Sequence, residues 1–90
     1  METVAEKTKR IIADTLGVEK ERLTNETDLV KDLAADSLDI VEMAVILEKE
    51  FGVSIPDEKI ERMSKVGHYI DYFETVKPMV IDNLNVKQAA

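Results

Sequence analysis

The sequence predicts an all-α protein: a small four-helix bundle with a long loop between helices 1 and 2 and a short third helix. Three observations carry this. Apolar residues recur at spacings of three and four within 3–16, 37–51 and 65–76, the period of a helix. Gly17 and Gly52 stand where two of these segments end, as helix stops do. No stretch alternates apolar and polar residues convincingly enough to mark a strand.

Thr3 and Glu6 open the first helix, about 3–16, with a capping-box pattern. Val4, Ile11, Ile12 and Leu16 form its inner face, and Lys7, Lys9 and Arg10 belong to a face expected to be solvated. Between 17 and 36 the period is lost. Leu23, Leu29 and Leu33 stand isolated among Thr, Asn, Asp and Lys, which predicts a loop pinned to the core by single leucines, with one helical turn at 28–33. Loops this long are uncommon in compact domains unless they serve a function.

The second helix runs from 37 to 51. Asp36 is the expected N-cap, and Asp39 favours the positive first turn. Ser37 then occupies the first helical position, with its hydroxyl free of capping. Pro56 suits a helix start or the bend before it, and a short third helix at about 57–62 turns Ile60 and Met63 inward. Ser64 is the expected cap of a fourth helix, about 65–76, with Val66, Ile70 and Phe73 inside and Tyr69 and Tyr72 beside them. Pro78 prevents simple continuation. The chain therefore divides into a bundle at 1–77 and an extension at 78–90. The extension is partly apolar (Met79, Val80, Ile81, Leu84, Val86), so it either packs back or forms a short helix.

The second helix carries two apolar stripes. Ile40, Ala44, Leu47 and Phe51 form one; Leu38, Val41 and Val45 form the other, beside Asp39, Glu42 and Glu48. A surface helix ordinarily buries one face. The second stripe, edged with carboxylates, is expected to meet a partner protein.

Composition narrows the classes. At 90 residues the chain is one domain with a small core. Its formal charge of −7, from 19 acidic and 12 basic residues, opposes binding to nucleic-acid phosphates or anionic membranes and favours basic partner surfaces. There is no cysteine, hence no disulfide framework and no thiol of its own. No apolar run is long enough for membrane insertion. Met1-Glu2-Thr3 lacks the basic and apolar regions of a signal peptide, so the expected location is cytoplasmic. The small, charge-rimmed stripe makes a monomer the default.

Catalysis lacks its parts. A serine nucleophile needs a base and an orienting group, and the one histidine, His68, lies far along the chain. The acids of the second helix lack the alternating ligands of a calcium loop, so no metal site is expected.

The segment Leu33-Ala34-Ala35-Asp36-Ser37-Leu38-Asp39 resembles the attachment motif of the acyl carrier proteins. Val41, Glu42, the run Leu47-Glu48-Lys49-Glu50-Phe51, Ile55-Pro56-Asp57-Glu58 and Ile70-Asp71-Tyr72 continue the likeness in register. It covers about 4–73. The triplet Asp-Ser-Leu alone is weak; the triplet opening a helix, followed at the right distances by the later motifs, is specific.

The resemblance implies that Ser37 is esterified by phosphopantetheine, donated from coenzyme A by a phosphopantetheinyl transferase that also reads Asp36 and Leu38. The arm's thiol would hold acyl intermediates as thioesters, which suits a chain without cysteine, and the protein would not itself be an enzyme. Asp39, Val41, Glu42, Val45 and Glu48 would then meet acyl-transferring and synthase enzymes of fatty-acid type through their basic surfaces, charge contributing on-rate and orientation. The resemblance also implies an acyl chain slipping between the second and third helices, with Leu47, Ile55, Ile60 and Met63 as candidate lining and Tyr69 beside the channel. Ordinary core packing explains Leu47, Ile55, Ile60 and Met63 at least as well.

Three departures stand out. Ala34 replaces a usual glycine, Gly67-His68-Tyr69 replaces small or polar residues, and the tail after Pro78 has no counterpart in a minimal carrier. They point to a specialised carrier for a lipid, polyketide or lipid A branch; a carrier of the same build loaded with an amino acid or a short unusual acid is the near alternative. A non-carrier adaptor bundle, or a hydrolase built on Ser37, are the alternatives from other classes.

Asp36, Asp39, Glu42, Glu48 and Glu50 crowd one helix, and like charges on a small core repel. Moderate salt or added calcium is therefore expected to raise the melting temperature. A midpoint that does not move in either titration would count against this.

Overall fold

The fold is that of a computed structural model, described for residues 2–76. Along the chain come α1 (Val4–Leu16), a 3-10 turn (Lys20–Arg22), α2 (Ser37–Phe51), α3 (Asp57–Ile60) and α4 (Val66–Thr75). The all-α class is as expected. The extension 78–90 lies outside the described residues.

At the start of α1, Thr3 and Glu6 exchange hydrogen bonds of 3.0 and 3.1 Å, completing the capping box. Gly17 and Gly52 end α1 and α2 with φ of 72° and 68°, the left-handed region open to glycine. Inside, Ile11, Ile12, Leu47, Phe51, Val66, Ile70 and Phe73 share one core. Met43, absent from either stripe of the sequence reading, is fully buried in that core on α2.

The polar face of α1 is not simply solvated. Lys7 lies 3.5 Å from the Glu50 carboxylate, donates to the Glu50 carbonyl at 3.4 Å and sits 5.2 Å from the Phe51 ring centroid. It places a cation at the negative end of α2, where the helix dipole favours one. Arg10 holds Glu2 through two bonds of 2.6 and 3.0 Å, which lowers the Glu2 carboxyl below its ordinary range.

The long connection is more ordered than its composition suggests. Leu23 and Leu29 are buried and Leu33 is half-buried. The turn at 28–33 is present: Asp28 accepts from the backbone N–H groups of Lys31 and Val30 at 2.8 and 3.0 Å. Those bonds, led by Lys31, hold its carboxyl below the ordinary range. The connection then pairs with the chain entering α4. Leu29 donates to the Ser64 carbonyl at 2.8 Å, Val66 to Thr27 at 3.0 Å and Gly67 to Asn25 at 3.0 Å. A single antiparallel bridge joins Asp28 to Lys65.

That pairing corrects the expected cap of α4. Ser64 presents its carbonyl to Leu29, and Lys65 takes the cap position, its N–H donating to His68 Nδ1 at 3.1 Å. The third helix is also shorter than 57–62: it closes at Ile60 and continues as a turn. Pro56 occupies the bend before it, Ile60 is half-buried and Met63 is buried.

At the far end of the bundle, Phe51 of α2 stacks on Phe73 of α4 with centroids 4.4 Å apart. The Tyr72 hydroxyl donates to the Ser54 carbonyl at 2.6 Å and ties α4 to the α2–α3 connection. With their N-terminal ends joined through 25–35 and their C-terminal ends through this aromatic pair, α2 and α4 run parallel, and α1 packs against both.

Two backbone positions generate predictions. A Cβ on Gly67 would lie 2.8 Å from the Asn25 carbonyl oxygen, a backbone atom that cannot step aside alone. Gly67→Ala should lower stability by about 1–3 kcal/mol through overpacking, and an unchanged denaturation midpoint would show that the loop yields. Ala34 has φ 58°, left-handed without being glycine. That conformation costs an alanine about 1–2 kcal/mol, and glycine's greater unfolded freedom returns about 0.4–1 kcal/mol. Ala34→Gly should therefore stabilise by roughly 1 kcal/mol; a lower midpoint in urea would contradict it.

Candidate functional site

The N-terminus of α2 is built by its two flanking aspartates. Asp36 accepts from the Asp39 N–H at 2.9 Å, and Asp39 accepts from the Asp36 N–H at 3.1 Å. This reciprocal box meets the demand for a cap with carboxylates at the positive helix end. Ser37, between them, is exposed, and its hydroxyl joins none of the hydrogen bonds among the described residues. Upstream, buried Ala35 donates to the Leu29 carbonyl at 2.9 Å, two residues before the serine. The approach to Ser37 is thereby anchored in the core while its side chain stands in water.

Chemically, this arrangement offers a free hydroxyl and not an activated one. Among the described residues no histidine or carboxylate holds the Ser37 Oγ, and His68 is occupied with the start of α4. Among the described residues, no three His, Asp or Glu converge as metal ligands, and no helix is long and apolar enough to cross a membrane. The backbone N–H groups of Ser37 and Leu38 lie in the first turn, where a helix leaves donors unpaired and favours an anion. An anionic phosphodiester on the Ser37 oxygen therefore fits, its negative charge facing the dipole and its bulk facing solvent.

Down α2 the second stripe is exposed as expected. Leu38, Val41 and Val45 are 74, 55 and 44 % accessible, and Ile46, which the sequence reading had left out, also surfaces. Glu42 is exposed and Asp39 half-exposed beside them. Glu48 differs: half-buried, it accepts from the Ile55 N–H at 2.7 Å. That carboxylate fixes the turn into the Ile55-Pro56 segment, a tie that nothing in the local pattern signals because the two residues meet only after Gly52 reverses the chain.

Leu47, Ile55, Met63 and Tyr69 come together in one buried core, with Ile60 packed at its margin. Open grooves lie elsewhere. One, between α1 and α2, includes Arg10, Asp14, Glu42, Ile46 and Glu50. The other, along α3 and α4, includes Lys59, Arg62, Met63, His68 and Tyr72. Of the five lining candidates, Met63 reaches the second groove. Tyr69 is fully buried, and burial pushes its hydroxyl up to about 12.

Comparison with known proteins agrees with this geometry. The family model described as the phosphopantetheine attachment site matches residues 6–73. An acyl carrier protein from Enterococcus faecalis, whose structure was studied for its high thermal stability, is 36% identical, covering 77% of this chain and 87% of that one with a TM-score of 0.67. The matched span runs from α1 into α4 and contains the free serine at the head of α2. The chain belongs to the phosphopantetheine-attachment family, and as an acyl carrier it carries acyl groups on a covalent phosphopantetheine and is not an enzyme.

Proposed function

We propose that Ser37 is the attachment point, and that this carrier takes acyl intermediates between enzymes of fatty-acid type. The observation that carries it is the division of labour at the head of α2. The Asp36–Asp39 box meets the capping demand, and that leaves the Ser37 hydroxyl exposed and unbonded. Loading transfers a phosphoryl group: the Ser37 oxygen bonds to the β-phosphorus of coenzyme A and the phosphoanhydride bond breaks. Adenosine bisphosphate leaves, and the serine proton passes to a base of the transferase. Asp36 and Leu38 flank the serine and are read by that transferase. Once bound, the group supplies a terminal thiol that holds an acyl chain as a thioester.

The rest of the site serves recognition. Leu38, Val41 and Val45 give a partner enzyme a small apolar footing, while Asp39, Glu42 and the outward side of Glu48 steer its basic surface. A footing this small favours brief encounters, as a shuttle requires. Leu47, Ile55, Ile60, Met63 and Tyr69 are the proposed acyl lining; the chain enters by parting core contacts, since most of these residues lie in the closed interior. The protein works as a cytoplasmic monomer in this reading, its exposed stripe being too narrow and too charged at its rim to hold a second copy.

Intact mass spectrometry tests the attachment. Incubation with coenzyme A and a broad-specificity phosphopantetheinyl transferase should add one phosphopantetheinyl group to the protein and none to Ser37→Ala. Ser37 is exposed, so the variant should stay within about 0.5 kcal/mol of the parent in stability. A folded protein that gains no mass beside a modified control carrier would sink the proposal.

A further inference from the structure

Tyr69 carries a hydroxyl that none of the described residues uses. The residue is 0 % exposed, and its oxygen has no hydrogen-bond partner among the described residues. Buried polar groups are almost always paired, and an orphan needs an explanation. Burial also keeps the hydroxyl protonated, so it stands as a donor without an acceptor.

Its place in the bundle suggests the acceptor. Tyr69 stands one turn after Val66, near the start of α4. The connection 25–35 is paired to that end through Leu29–Ser64 and Val66–Thr27. The same connection, through Ala35 bonded to Leu29, runs straight into Ser37. The unpaired donor thus lies within the core it shares with Leu47, Ile55 and Met63, on the helix whose start is tied to the segment leading to Ser37. A plain hydrocarbon chain entering that core would leave the hydroxyl orphaned. A chain bearing an oxygen would satisfy it, and sites that hydrogen-bond a substrate oxygen discriminate strongly against chains lacking it.

We infer that Tyr69 is a specificity residue that makes this carrier favour acyl chains with a hydroxyl or keto oxygen in their buried stretch over unsubstituted chains of the same length. The inference rests on the Ser37 attachment and adds to it the class of cargo. The tyrosine donates its proton to the chain oxygen in a hydrogen bond, with no covalent change.

The test loads the full chain with lauroyl or β-hydroxylauroyl phosphopantetheine, transferred from the matching acyl-coenzyme A, and confirms each product by intact mass. The β-hydroxylauroyl form should melt higher than the lauroyl form by roughly 4–8 °C, the shift that one net hydrogen bond gives a domain of this size. In Tyr69→Phe the gap should close. A second reading uses the parent protein alone: a carbon-13 label at tyrosine Cζ should shift for Tyr69 on loading the hydroxylated chain and stay near its unloaded position with the plain one. Equal melting of both loaded forms, or a gap that survives in Tyr69→Phe, overturns the inference while leaving the attachment intact. Absence of any mass gain at Ser37 removes the attachment and this inference with it.

Discussion

The structure depends on the backbone pairing between residues 25–29 and the chain entering α4. Three N–H to carbonyl bonds, from Leu29 to Ser64, Val66 to Thr27 and Gly67 to Asn25, lock a polar connection against the start of the last helix. These bonds satisfy backbone groups that would otherwise be left without partners, and such groups are costly when buried. They also decide geometry. With the connection fixed at that end, Ala35 drops into the core and Ser37 emerges at the head of α2, parallel to α4. Gly67 follows from the same constraint, because the Asn25 carbonyl occupies the space a side chain would need.

The carboxylates of α2 divide into two groups. Asp36 and Asp39 serve the helix end, Glu48 serves the turn at Ile55, and Glu50 meets Lys7. Glu42, exposed beside the apolar stripe, enters none of the described salt bridges. A net charge of −7 therefore overstates the crowding, since most acids of this helix answer a local donor. The exposed Lys7–Glu50 pair contributes little to stability; the carboxylates bonded to backbone N–H groups fix where the chain turns.

Much of this was legible in the sequence. Thr3 with Glu6, Asp36 with Asp39, and Gly17 and Gly52 are local signals, each read within one helical turn, and each end is where they put it. The double stripe of α2 was equally local. What escaped depends on contacts between distant segments. Ser64 looked like a cap because serine caps helices, yet its carbonyl was claimed by Leu29, 35 residues upstream in the chain. Lys7 looked solvated because only the folded bundle brings the end of α2 beside it. Met43 fell between two stripes drawn at ideal spacing, yet it is fully buried in the shared core. Family resemblance singled out Ala34 and Tyr69 as unusual; their physical meaning, a left-handed backbone and an unpaired buried hydroxyl, belongs to the fold alone.

The helix at the centre of the molecule separates a face that holds the core from a face that stands in water. Met43, Leu47 and Phe51 hold the bundle from within, while Leu38, Val41 and Val45 contribute almost nothing to its core. Exposed apolar groups lose little when changed, because surface substitutions away from special features stay close to neutral. The outer face of α2 is therefore free to vary without endangering the fold. The inner face has no such freedom, and any cargo that enters the core must replace the contacts it parts. A carrier with a small core can tolerate that exchange only if the cargo fills the space as well as the side chains did. The unpaired hydroxyl of Tyr69 is where we infer a choice of cargo to arise, a chain with a matching oxygen being favoured over a plain chain of the same length, so the defect in the unloaded fold becomes the preference of the loaded one.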